Sequence, residues 1–185
     1  MKYILSLISL ICLVSVEIHA GRLELKEGNL DCIKGQTYVS VEVDYAKAVY
    51  KEKGGLKFDD FLRKHRRMPN WEQKCLDYFC EWFNDETMKT TACVGCKDAK
   101  YAIVVVVKEI SSGGKITGNI VIKQIATGKQ MALLTFKGSD GDVEDMIPLR
   151  DPMKDAGESI GKFLIKIFND KKYEKNNFYN NSINI

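Results

Sequence analysis

Histidine is almost missing from this chain of 185 residues: His19 and His65 are the two present, and His19 falls within an N-terminal hydrophobic leader. A histidine-built metal site is therefore excluded, and any Ser-His or Cys-His mechanism would rest on His65 alone. A strong charge of one sign is missing too. The formal net charge of +3 is too mild to argue for a polyanion partner. With 45% apolar and 29% charged residues, wholesale disorder, collagen-like repeats and a membrane-spanning design do not fit. Beyond the leader no apolar stretch approaches its length, and Ile103–Val107 is only a strand's worth. Carboxylates are plentiful, yet none sits beside a partner that marks it as a general acid or base, so catalysis is not expected.

The leader itself has three parts: a basic start at Met1–Lys2, an apolar run from Tyr3 to Val16, and small Ala20 before Gly21. This is the layout of a secretory signal peptide over residues 1–20. It stops short of the roughly twenty apolar residues that a membrane-spanning helix needs. Cys12 follows bulky Ile11, where a lipid-anchor site would require a small residue. The remaining chain is expected in a periplasm or outside the cell, as one domain over 21–168 with a flexible polar tail over 169–185. It has no transmembrane segment. Losing Cys12 leaves Cys32, Cys75, Cys80, Cys93 and Cys96. That odd number strands one thiol or pairs it between chains.

Hydrophobic periodicity orders the domain. Tyr38–Tyr45 alternates Val39, Val41, Val43 and Tyr45 against Ser40, Glu42 and Asp44, a strand buried on one face. A short helix follows from Phe58 to Met68, ended by Pro69. Asn70 and Gln73 then suggest a capping box. The helix behind it carries Trp71, Cys75, Tyr78, Phe79, Trp82 and Phe83 along one side. Ile103–Val107 reads as a strand covered on both faces. Ile116–Ile125 and Gln130–Lys137 complete a three-strand antiparallel meander. A last helix spans Met153–Phe168, with Gly157 and Gly161 placed to bring it close to the sheet. The expected class is α+β: a single twisted, mostly antiparallel sheet in strand-helix-helix-strand-strand-strand-helix order, with the helices on one face.

Four segments resemble small uncharacterised secreted proteins of bacterial envelopes: Val39–Tyr45, Ala99–Val105, the turn Ala126–Lys129, and Asp155–Leu164. The element order is similar to the sheet-and-helix domain of periplasmic assembly factors, such as the N-terminal domain of TolB, LpoB and CsgG. The resemblance implies binding in the envelope rather than catalysis. It transfers no functional residue.

Among chemical motifs, Cys93-Val94-Gly95-Cys96 has redox spacing. However, Lys97–Lys100 leads into a strand rather than the helix that would activate a thiol. Cys75, Cys80, Cys93 and Cys96 could together form an all-thiolate zinc site. In an oxidising compartment the same four are candidate structural disulfides, and Cys75 could equally be a buried hydrophobe. Arg63, Lys64, Arg66 and Arg67 flank His65 as a candidate anion patch or a solvated helix end. No aromatic residue interleaves them, so nucleic acid is not expected.

Asp140, Asp142 and Glu144 alternate as in a calcium loop, but Asp145 stands where glycine is needed. Gly114-Lys115, Gly128-Lys129 and Gly161-Lys162 fail as phosphate loops, because Glu109, Lys123 and Ala156 occupy the required earlier glycine position. Asn180-Asn181-Ser182 fits a glycosylation sequon. The expectation is thus an exported, non-catalytic binding or assembly module without a cofactor, whose partner is an envelope or extracellular macromolecule. The alternative is a redox or zinc protein using Cys93 and Cys96.

Overall fold

A computed structural model describes residues 19–20, 23–51, 54–64, 67–111, 113–138, 141 and 146–169. In chain order the strands and helices are β1 (His19–Ala20), β2 (Leu23–Gly28), β3 (Tyr38–Asp44), β4 (Val49–Tyr50), β5 (Leu56–Lys57), α1 (Phe58–Lys64), α2 (Trp71–Glu86), β6 (Thr91–Val94), β7 (Tyr101–Ile110), β8 (Ile116–Gln124), β9 (Gln130–Lys137) and α3 (Arg150–Asn169).

The fold is α+β, built on one open sheet ordered β1-β2-β9-β8-β7-β3-β6, with β4 and β5 attached beside β7. The β7–β8–β9 meander is antiparallel, as its short polar turns require, and β2 extends it through β9. On the other side, β3 runs parallel to both β7 and β6. Parallel neighbours need a crossover connection, and α1 with α2 supply it between β3 and β6. The expected mostly antiparallel sheet is therefore a mixed one, with its parallel pairs centred on β3 and at β4–β7.

The core lies between one sheet face and the helices. Val39, Val41, Ile103, Val105, Val107, Ile120, Ile122, Leu134 and Phe136 come from the strands, and Phe79, Phe83, Met153, Ile160 and Phe163 from the helices. These are alternate strand positions and one stripe per helix, as period-two and period-3.6 patterning dictate. On the aromatic stripe of α2, Trp71, Cys75, Phe79 and Phe83 are buried. Tyr78 and Trp82 are half-exposed, and the ammonium of Lys154 on α3 sits 3.8 Å over the Trp82 ring.

Two local expectations are corrected. Gly157 and Gly161 bring α3 against α2, not against the sheet: a Cβ on Gly157 would stand 2.3 Å from the Phe79 carbonyl oxygen, and one on Gly161 2.7 Å from Glu86 Cβ. Asn70 makes no side-chain capping bond and is left-handed at φ 60°. Gln73 instead donates to Asp77 at 2.9 Å. Along β7, Ala102 and Val104, which alternate with the core residues Ile103 and Val105, are buried as well, and within Ile103–Val107 Val106 is the half-exposed residue.

Candidate functional site

Among the described residues, the sheet face turned away from the helices is the most distinctive surface. In a pleated strand, the residues that alternate with the core set must face away from it. Here Glu42, Val104, Val121 and Leu133 stand side by side across β3, β7, β8 and β9, and Asp44, Val106, Asn119, Thr135 and Glu24 form the next row. Val106, Val121, Met131 and Leu133 are half-exposed. Tyr38, open to water at 43% exposure, shares this side by strand alternation in β3. Together they make an apolar strip along the middle strands.

The charges around the strip are paired among themselves. Lys123 Nζ lies 2.5 Å from Glu42 Oε2, Lys51 Nζ lies 2.7 Å from Glu109 Oε2, and Lys26 pairs with Glu24. Gln130 Nε2 donates to Glu27 at 3.2 Å. The hydrogen bond from Lys51 holds the Glu109 carboxyl below its ordinary range. A centre of aliphatic side chains inside a rim of internally satisfied polar groups has the anatomy of a protein-contact surface.

The edge strand β6 was not legible as a strand, and it is closed by α2. Asn84 Nδ2 donates to the Ala92 carbonyl at 3.1 Å, and Asn84 Oδ1 accepts the Ala92 amide at 2.7 Å. One side-chain amide thus takes both outward backbone groups of Ala92, where an added strand would otherwise pair. Thr90 fastens the same turn by donating to the Gln36 carbonyl at 2.9 Å.

The five cysteines are free thiols and do not form one cluster. Cys75 is fully buried in the core, and desolvation pushes its thiol up to about 12. Cys93 lies in β6, and its Sγ donates to the Val39 carbonyl at 3.9 Å. Burial first, then Cys96 and Asp98, raise Cys93 to about 11. Cys80 is raised to about 12 by burial, with Cys93 and Asp77 adding to it. Cys32 is half-buried and also raised by burial. Every influence acting on Cys80 and Cys93 favours the protonated thiol, the reverse of what an activated nucleophile requires. Among the described residues, no group of three or more His, Cys, Asp or Glu is arranged to hold a metal ion. The four-thiol zinc set Cys75, Cys80, Cys93 and Cys96 is accordingly not assembled.

Of the basic cluster, Arg63 pairs with Asp60 on its own helix, and Arg67 donates to the Leu62 carbonyl. Both are exposed. The side chain of Lys64, together with His65 and Arg66, lies outside the described residues. So do Asp140, Asp142, Glu144 and Asp145 of the calcium-like loop, and the sequon. Beside Arg67, an open groove of about 730 Å³ is lined by Met68, Asn70, Trp71, Glu72 and Leu76. Its carboxylate Glu72 already accepts from the Tyr45 hydroxyl. That contact follows burial in raising the Tyr45 pKa.

No helix among the described residues is long and apolar enough to cross a membrane. No family model matches the chain, and no curated protein matches it. Among solved structures, the chain is similar to the PelC dodecamer from Paraburkholderia phytofirmans at 10% identity and a TM-score of 0.39, over 75% of this chain and 98% of that one. It is also similar to a single-substitution variant of that dodecamer at 8% identity and a TM-score of 0.38, over 75% and 95%. At these values the likeness assigns no function to this chain.

Proposed function

We propose that this protein is exported and acts as a non-catalytic binding module that docks another protein on the sheet face turned away from the helices. The leader at residues 1–20 supports export. The observation that carries the binding reading is the apolar strip of Val106, Val121 and Leu133, which are half-exposed and stand outside the core cluster that the helices complete. Its rim charges neutralise one another, which favours a partner that is itself apolar at the contact rather than a polyanion.

The test is site-specific photo-crosslinking from the exported protein, with the probe at Val121 and, as a control, at Met88, which is 98% exposed and lies away from the strip. The expected result is a discrete heavier product from position 121 that disappears in a Leu133→Glu background, with none from position 88. Equal products from both positions, none from either, or a product consisting of two copies of this chain would overturn the reading.

A further inference from the structure

The edge strand and the helix that closes it also fix which thiols can meet. The Asn84–Ala92 clamp sets α2 level with β6, and the tight connection between Glu86 and Thr91 makes the two run in opposite directions. Cys80 lies four residues before Asn84, a helical rise of roughly 6 Å. A strand covers that distance in about two residues, which puts Cys80 level with Val94, between Cys93 and Cys96. The mutual influence of the thiols agrees: Cys96 acts on the Cys93 thiol and Cys93 acts on that of Cys80, while Cys93 Sγ itself donates to the Val39 carbonyl at 3.9 Å. Gly95, at φ 62°, makes the turn that folds Cys96 back toward Cys93. That turn begins the connection by which the chain steps past β3 to enter β7.

Cys75 is excluded from the group. Five helical residues separate it from Cys80 by roughly 7.5 Å of rise and roughly 140° of rotation, beyond the reach of a disulfide, and Cys75 points into the core.

We infer that Cys80, Cys93 and Cys96 form one oxidation site in which Cys93 pairs with Cys96 by default and Cys80 is the alternate partner. Forming the bond takes two thiols and a disulfide oxidant such as oxidised glutathione. Cys93 and Cys96 lose two protons and two electrons, and the oxidant leaves as two thiols. Passing to the alternate pairing needs no further oxidant. Because Cys80 is held protonated, the exchange runs under alkaline conditions: Cys80 gives its proton to hydroxide, its sulfur attacks the Cys93 sulfur, the Cys93–Cys96 bond breaks, and Cys96 departs as a thiolate that takes up a proton from water. The default pairing pins the turn after β6, whereas the alternate one staples the edge strand to α2. The site is a covalent element of the fold and is independent of the binding face.

The full chain is incubated with oxidised glutathione, quenched in acid, alkylated, and mapped by non-reducing tryptic mass spectrometry. No lysine or arginine separates Cys93 from Cys96, so the expected product is a Thr90–Lys97 peptide lighter by two hydrogens, with Cys75 and Cys80 alkylated. In a Cys96→Ser variant shown to be folded by circular dichroism, the same treatment should join the peptide holding Cys93 to Cys80 and leave Cys75 alkylated. A Cys75→Ser variant should keep the wild-type pattern. Pairing of Cys93 with Cys32 or Cys75, a Cys96→Ser chain in which Cys93 stays alkylated, or stoichiometric zinc that blocks oxidation would overturn the inference.

Discussion

The two faces of this sheet are made by the same strands, residue by alternate residue, and they differ in what lies over them. On one face Val105, Ile120 and Leu134 are fully buried beneath α2 and α3. On the other, Val106, Val121 and Leu133 are partly open to water. The second face sets Val104, Val106, Val121 and Leu133 among polar residues such as Glu42, Asn119 and Thr135, and the helices among the described residues complete the core on the first. A strand buried on both faces and a strand buried on one with its other face kept apolar look alike in sequence, and they part only when the helices are placed.

The contrast should be sharpest in stability. Gly157→Ala, at the backbone-to-backbone crossing of α2 and α3, forces the helices apart and should lower unfolding free energy by about 3 kcal/mol. Leu133→Ala on the open face should cost less than about 1 kcal/mol. Urea midpoints at an unchanged m-value measure both, and equal losses would erase the distinction between the faces.

Next in size is Asn84→Ala, which strips both outward partners from Ala92 and should cost about 2 kcal/mol. Faster amide exchange should follow at Ala92, with little change in β8.

The smallest effect is confined to high pH. The reduced thiols of Cys75 and Cys80 are raised to about 12, and that of Cys93 to about 11, against an ordinary 9.0. The folded state therefore holds these protons longer than the unfolded chain does. Their contribution is complete below pH 9 and is lost as pH climbs from there through 11 and 12. A Cys75→Ser variant should show a shallower alkaline decline, read from thermal unfolding of the reduced protein at stepped pH. A steeper one would contradict the burial assigned to Cys75.

Much of this architecture could be read from local pattern. The alternation in Tyr38–Asp44, the meander from Tyr101 to Lys137 and the stripes of α2 and α3 are each set by residues close in sequence. Pairing across distance is not. That β3 sits between β7 and β6, parallel to both, depends on where a two-helix crossover lands. β6 itself is four residues, Thr91–Val94, too short for alternation to register, and its composition suggests a loop. Gly157 and Gly161 announced a close approach but not which neighbour would approach. The spacing of Cys93 and Cys96 was visible, whereas the place of Cys80 beside them follows from a single tertiary contact, Asn84 to Ala92. The face turned away from the helices had a signal of its own: alternate residues Val104, Val106 and Val121 are apolar where a strand exposed on that side would normally be polar.

The central claim is that one face of the sheet is sealed by helices and the other is kept apolar for a partner. Photochemical carbene labelling of the free, full-length protein, read residue by residue along β7, β8 and β9, tests it most directly. The account expects labels on Val106, Val121 and Leu133, and none on their chain neighbours Val105, Ile120 and Leu134. Equal protection of both sets would mean that a further layer covers the strip, and would contradict the claim.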